Sequence, residues 1–465
     1  MRAGLMTLDR DFAAALADVV GADHVRQAPG ELAVYARDAT PLFHHPPDVV
    51  VFPATTEQVA RVLRLATEHR VPVVPRGSGS NLCAATVPLH GGIILALTRM
   101  TQILEISSEE LLARVQPGVT TARLADAAAA RNLLYAPDPG SRTTATIGGN
   151  IATCAGGLRG LKYGVTRNYV LGLEAVLPTG EIVRTGGRLW KDVAGYDLTR
   201  LLTGSEGTLA VITEATVALL PAPAESNTGV AYFASLADAS RAVGAIITAG
   251  IVPATLEFLD RKCVAVVEEY AGLGLRLDAG ALLLFGEDGP IEVVAGNMVR
   301  MRKICAEAGA LEVTVADDVA RAEALLTARR CSLPALSRLG SLTILEDVTV
   351  PRPRMPEMVD RIDEIAERFD LQIATFGHAG DGNLHPTCVL DPDDEDAVGR
   401  AHKAFAEIFR TAIRLDGTIT GEHGVGAAKL PFLADRLGAV QLGLLRRIKT
   451  AFDPAGVLNP GKLGS

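Results

Sequence analysis

The sequence predicts an α+β protein of two or three domains. Three observations carry that prediction. The chain has 465 residues, more than one domain's worth. A β-α-β pattern opens at Val49, and glycine is dense from there to Glu214. Beyond Pro221-Ala-Pro223 glycine thins out and strands alternate with longer helices, the texture of helices laid on one face of an antiparallel sheet. Hydrophobic content is 48% with few aromatics, so Ala, Val, Leu and Ile must build the cores.

Taken in order, Phe12, Leu16 and Val19 share one face of a first helix. Val49 to Phe52 reads as a strand, Thr55 with Gln58 as a capping box, and Val59, Val62, Leu63 and Ala66 recur at helical spacing. Val71 to Val74 is the next strand. Further strands are expected at Gly92–Leu97 and Ala113–Val115, a helix at Thr121–Arg131, and a hairpin from Gly172–Leu177 and Glu181–Thr185 around Pro178-Thr-Gly180. The second half predicts strands at Gly229–Phe233, Thr255–Leu259, Ala281–Phe285, Ser341–Val350 and Leu371–Phe376. Helices are expected at 236–249, 261–271, 291–308, 356–368 and 393–415.

Two loops in the first half stand out. Pro75-Arg76-Gly77-Ser78-Gly79-Ser80-Asn81 leaves a strand with two glycines and two serines, bare enough to turn consecutive N–H groups onto an anion. A plain turn between strands is the alternative. A second stretch of the same character, Pro139-Gly-Ser-Arg-Thr-Thr-Ala-Thr-Ile-Gly-Gly-Asn150, favours a ligand with more than one phosphate.

The second half carries the titratable chemistry. In Gly377-His-Ala-Gly-Asp-Gly-Asn-Leu-His385, two histidines flank a Gly-Asp-Gly turn. Their odd spacing would separate them on a straight strand, but a tight turn lets both face one spot. Gly421-Glu-His-Gly-Val-Gly426 follows about 40 residues later, again glycine-flanked. Two histidines and a glutamate (His378, His385, Glu422) form a donor set suited to Zn²⁺, Mn²⁺ or Fe²⁺, which leaves His423 as a base. Histidines satisfied within a packed turn are the competing reading. Arg329 and Arg330 end a helix, where a guanidinium could meet a carboxylate, although an adjacent pair also fits a solvated surface.

Composition excludes several classes. A net charge of −9 argues against nucleic acid as the partner. No run of about 18 apolar residues is present to span a bilayer. Asp9, Arg10 and Asp11 stand where a signal peptide needs an apolar core, which argues against export. The six cysteines include no CxxC pair, so a zinc ribbon or an iron–sulfur cluster held by this chain alone is not expected, and they read as small buried hydrophobes.

Together these motifs resemble the flavoprotein family of D-2-hydroxy-acid dehydrogenases, which includes glycolate oxidase flavin subunits, D-lactate dehydrogenases and D-2-hydroxyglutarate dehydrogenases. The resemblance is carried by Pro75–Asn81, Pro139–Asn150, Lys162-Tyr-Gly164, Gly204-Ser-Glu-Gly207, Gly377–His385, Gly421–Gly426 and Asn459-Pro-Gly-Lys462. It implies a vanillyl-alcohol-oxidase-type fold: a two-part FAD-binding domain at 1–222, an α+β substrate cap with an antiparallel sheet at 223–418, and a segment at 419–465 that returns to the flavin.

By that resemblance, FAD is held by Pro75, Arg76, Gly77, Ser78, Gly79, Ser80 and Asn81, by Pro139, Gly140, Thr144, Gly148, Gly149 and Asn150, by Gly204, Glu206, Gly207 and Ile212, and by Asn459. A divalent metal, Zn or Mn, matches His378, His385 and Glu422. His423 matches the catalytic base, Arg329 the substrate arginine, and Asn383 a further substrate contact. Ser80 stands where covalent members carry a histidine, so the FAD is expected to be non-covalent. Leu326 replaces a family tryptophan, and Leu345 a lysine of the hydroxyglutarate enzymes. Both favour glycolate or D-lactate over the longer dicarboxylate.

The expected partners are the small 2-hydroxy acid and an electron acceptor or a partner subunit carrying iron–sulfur clusters. The expected assembly is a homodimer, cytoplasmic or peripheral at the inner membrane face. The competing readings are a same-fold FAD enzyme acting on another alcohol and a flavoprotein subunit that only passes electrons. A Rossmann NAD protein ranks last, because loop 75–81 lacks GxGxxG and an acidic partner.

Overall fold

Val49, Val50 and Val51 are fully buried, as a strand covered on both faces requires. This strand, Val49–Val51, pairs in parallel with Ile93–Ala96, which pairs in parallel with Val73–Arg76, and a short strand Val25–Arg26 closes the other edge. The helix Thr56–His69 makes the crossover and buries Val59, Val62, Leu63 and Ala66 against the sheet. Its N-cap is half the predicted box: Thr55 accepts from the Gln58 N–H at 3.3 Å, while Gln58 Oε1 accepts from the Ala54 N–H at 2.7 Å instead of reaching back to Thr55. In the helix Arg10–Val20, Phe12, Leu16 and Val19 are buried as their spacing predicts.

The computed structural model describes residues 10–465; the reading at Asp9 lies outside them. The chain divides into two units. One comprises the described residues through Ala155, together with Val165–Ala222 and Glu422–Ser465; the other comprises Gly156–Gly164 and Pro223–Gly421.

The first unit adds a five-stranded antiparallel sheet in the order Ile103–Ser107, Leu112–Val115, Val211–Ala218, Val170–Val176, Ile182–Gly186. The predicted hairpin is its last pair, in register from Gly172–Gly186 to Val176–Ile182. The C-terminal tail joins the parallel sheet. Val73 N–H donates to Val457 O at 2.8 Å, and Asn459 N–H donates to Val73 O at 2.7 Å. Leu458 thereby enters the same core as Leu63 and Ile93.

The second unit is built on one eight-stranded sheet in which every pairing is antiparallel. Its central strands are Glu225–Phe233, Ala281–Gly289, Thr255–Asp260, Ile373–His378 and Asn383–Leu390, in that order. The segment Gly156–Gly164 belongs to this unit. Lys162 Nζ lies 2.6 Å from Glu287 Oε1 and 2.7 Å from Asp288 Oδ1, and the Tyr163 hydroxyl donates to Asp288 Oδ1 at 2.7 Å. The Lys-Tyr-Gly motif is thus a clamp onto the strand Ala281–Gly289.

Candidate functional site

In the first unit, the sequence-predicted loops converge on one another. The Pro75–Asn81 loop leaves the strand Val73–Arg76. Gly77 is required there, since a Cβ would fall 2.2 Å from Thr146 Oγ1. A Cβ on Gly148 would likewise fall 2.5 Å from Pro117 Cβ, so both glycines sit where two chain segments touch. Arg76 does not face outward. Burial lowers its pKa, its Nη1 donates to Arg37 O at 2.7 Å, and its guanidinium lies 5.5 Å from the centroid of the Tyr35 ring, so it braces the loop from behind. Ser78 Oγ lies 3.3 Å from Ser80 Oγ.

The predicted second loop ends earlier than its glycines imply. Thr146 caps a helix, Ile147–Thr153, that contains Gly148, Gly149 and Asn150. Asn150 is buried and donates to Thr121 Oγ1 at 2.6 Å, so its side chain holds the fold. Pro139 is buried, whereas Gly140 and Thr144 are exposed, with open space beside Gly140. Gly204 N–H donates to Ile151 O at 2.9 Å and Glu206 N–H to Ala152 O at 2.8 Å, which ties the 204–207 loop to the end of that helix. Gly207 packs toward Pro75, with 3.2 Å from an added Cβ to Pro75 Cγ, and Ile212 is buried in the strand that follows.

Glu206 is the hub of this convergence. It is buried at φ +54°, and its carboxylate accepts from the N–H groups of Val425 at 2.6 Å and Gly426 at 2.7 Å. Burial raises its pKa, and those two hydrogen bonds oppose the shift, as do the charges of Lys462 and Lys429. Asn81 Nδ2 donates to His423 O at 3.3 Å, and the Cys83 thiol, raised well above its ordinary pKa by burial, donates to the same carbonyl at 3.2 Å. The backbone of the Gly421–Gly426 motif is therefore held from both sides of His423. Lys462, with its pKa pushed down to about 8 by burial, donates to Val87 O at 2.9 Å.

Asn459 completes the set. Its Nδ2 donates to Ala85 O at 3.0 Å and to Glu206 O at 2.8 Å, while Oδ1 is buried with no hydrogen-bond partner. An orphaned buried acceptor costs about 1–3 kcal/mol, and a bound group with an N–H would satisfy it.

In the second unit, sheet register assembles the other residues. Glu257 pairs with His378, and His378 pairs with Asn383, so these three form one row across three strands. Two residues along, Leu259, Phe376 and His385 form the next row on the same face. The turn between the histidines thus makes them diagonal neighbours, with ring centroids 5.2 Å apart. Glu257 is 1% exposed, and its two oxygens divide between two partners: Oε1 lies 2.8 Å from His378 Nδ1, and Oε2 accepts from Arg329 Nε at 2.7 Å. Arg329 ends the helix Val319–Arg330 and stacks over Phe376 at 4.6 Å. Arg330 turns instead to Glu323, at 2.9 Å. Through Glu257, Arg329 is directed at the histidine rows.

The residue before Glu422 is anchored on this sheet. Gly421 N–H donates to Asp347 at 2.6 Å, Thr420 Oγ1 to Asp347 at 3.0 Å, and a Cβ on Gly421 would lie 2.3 Å from Thr349 Oγ1. Peptide continuity then fixes where Glu422 starts. His378, His385 and Glu422 each offer one ligand atom, all within 4.8 Å of one another. Two residues had no separate signal in the sequence: Glu257 and Asp347. Each is an acid inside or beside an otherwise buried apolar run, and that was the available cue.

Residues 47–186 match the FAD binding domain family, and residues 222–463 match the family described as FAD linked oxidases, C-terminal domain. The chain belongs to the FAD-linked oxidases. A glycolate oxidase subunit GlcD of Bacillus subtilis is 50% identical over 98% of this chain and 97% of its own. A D-lactate dehydrogenase of Anaerostipes hadrus is 36% identical over 93% and 91%. Among solved structures, p-cresol methylhydroxylase with substrate bound superposes with a TM-score of 0.83 at 19% identity, covering 98% of this chain and 96% of that one. That likeness is one of fold, the vanillyl-alcohol-oxidase type, and it agrees with the predicted two-part FAD-binding half and antiparallel cap. As an FAD-linked oxidase the chain is an FAD-dependent oxidoreductase, and the converging glycine loops and the orphaned Asn459 Oδ1 of its first unit fit the cofactor. All six cysteines are free. Among the described residues, no helix is long and apolar enough to cross a membrane.

Proposed function

We propose that this FAD-linked oxidase converts a small D-2-hydroxy acid, glycolate or D-lactate, to the 2-oxo acid. The observation that carries the reading is the Glu257 carboxylate holding an imidazole and a guanidinium side by side on one sheet face. A buried guanidinium matches a substrate carboxylate, and an imidazole next to it with a second histidine matches a metal. The names of the relatives point to the same substrates.

In this reading FAD lies against Pro75–Asn81, Pro139–Asn150, Gly204–Gly207, Ile212 and Asn459, non-covalently because Ser80 offers no imidazole. Residues 1–222 hold the cofactor, 223–418 the substrate, and 419–465 return to the flavin. His378, His385 and Glu422 hold Zn or Mn. When bound, the flavin accepts the hydride from Cα and the divalent ion lowers the pKa of the substrate hydroxyl. Arg329 pairs with the substrate carboxylate, and Asn383, beside His378 in the row, contacts the hydroxy acid. His423 removes the hydroxyl proton, so two electrons leave with the hydride and the proton leaves with the imidazole. Leu345, buried in the strand Leu342–Leu345, provides no cation for a second carboxylate, which sets D-2-hydroxyglutarate below the shorter acids. We further propose a homodimer that is cytoplasmic or peripheral at the inner membrane face, reoxidised by an acceptor or by a partner subunit with iron–sulfur clusters.

A dye-coupled assay against glycolate, both lactate enantiomers, D-2-hydroxyglutarate and simple sugar lactones tests the substrate class. Turnover of glycolate or D-lactate is expected. Turnover confined to the other alcohols contradicts the proposal. Acid precipitation of the same preparation is expected to release yellow flavin into the supernatant, and colour retained in the pellet contradicts non-covalent binding.

A further inference from the structure

We propose that Glu257 is a positioning residue that sets the metal ligand and the substrate anchor at once. The inference deepens the function proposed above and rests on it. A carboxylate oxygen 2.8 Å from His378 Nδ1 is an acceptor, so Nδ1 carries the proton and the lone pair of the neutral ring stands on Nε2, turned away from Glu257. Acceptor-bound Nδ1–H with a ligating Nε2 is the arrangement that orients histidines in metal sites. The second oxygen takes Arg329 Nε, which leaves the terminal nitrogens of the guanidinium for another carboxylate. Phe376 beneath the guanidinium holds its plane.

The geometry ties the two functions together through one rigid group. Glu257 lies mid-strand, in register with His378, and is 1% exposed, so it has no other place to go. A glutamine at 257 keeps the shape but has only one acceptor oxygen. It can serve His378 or Arg329 and must present an amide donor to the other. An aspartate keeps both acceptors on a shorter stem.

The test uses FAD-loaded enzyme stripped with chelator, then titrated with Zn²⁺ alone by equilibrium dialysis and, in a separate experiment, with oxalate followed by the flavin spectrum. Glu257→Gln should bind Zn²⁺ about 10- to 100-fold more weakly than wild type. Oxalate affinity should fall with it, and Glu257→Asp should recover part of both. Retained flavin and an unchanged melting profile of Glu257→Gln establish that the fold survives. Wild-type Zn²⁺ affinity in a folded Glu257→Gln overturns the inference and leaves the function intact. Wild type that takes up no Zn²⁺ overturns the metal reading and the inference together. If Glu257→Gln does not fold, Glu257→Asp decides: Zn²⁺ and oxalate affinities both equal to wild type overturn the inference, and both reduced support it.

Discussion

Replacing His423 with alanine should lower turnover of glycolate or D-lactate by about 10²- to 10⁴-fold, the contribution expected of a general base. The expected loss is in chemistry, and the architecture explains why. The loop around His423 is held by its backbone: Asn81 and Cys83 donate to its carbonyl, and Glu206 accepts from Val425 and Gly426. None of these bonds involves the imidazole, so His423→Ala should retain FAD and fold normally while losing the proton acceptor. Flavin content, melting temperature and kcat measured on one preparation separate the effects. A variant that keeps its flavin and turns over within a few-fold of wild type would remove His423 from the reaction.

The second large effect is expected at Glu422. Glu422→Ala removes one of three donors that lie within 4.8 Å of one another, and it should lower metal affinity by more than about 10²-fold, exceeding what loss of an outer-shell partner costs. Activity should fall in parallel, because two histidines alone bind a divalent ion weakly. Chelation of wild type should reproduce the loss, and Zn²⁺ or Mn²⁺ should restore it in wild type but not in the variant. Metal content by elemental analysis, followed alongside kcat, provides the check. Full activity in metal-free wild type would sink the metal assignment.

Much of this arrangement was legible in the residues themselves. The β-α-β entry at Val49, the hairpin at Gly172, the helices after Pro223 and the turn that brings His378 beside His385 all follow from local periodicity and glycine placement. The helix Ile147–Thr153 was hidden, because Gly148 and Gly149 are poor helix formers; Gly148 is tolerated there for its close packing against Pro117. What local pattern could not reveal is register. Glu257 meets His378 from 121 residues away because two strands align, and Leu458 joins Val73 from the far end of the chain. Gly156–Gly164 sits with the second unit through Lys162 and its two carboxylates, although sequence order places it within the first. The loop motif also gives no placement for the Arg76 side chain, which braces the loop from behind because its neighbours Tyr35 and Arg37 come from another segment.

The central claim is that bound FAD takes a hydride from a small D-2-hydroxy acid. Anaerobic mixing of the metal-loaded holoenzyme with D-lactate or glycolate, followed at the flavin absorbance, tests it without reference to the acceptor. The yellow flavin should bleach fully with at least one of the two and with stoichiometric 2-oxo acid formed, and L-lactate should leave it oxidised. Flavin that stays oxidised with both acids in metal-loaded enzyme would contradict the account.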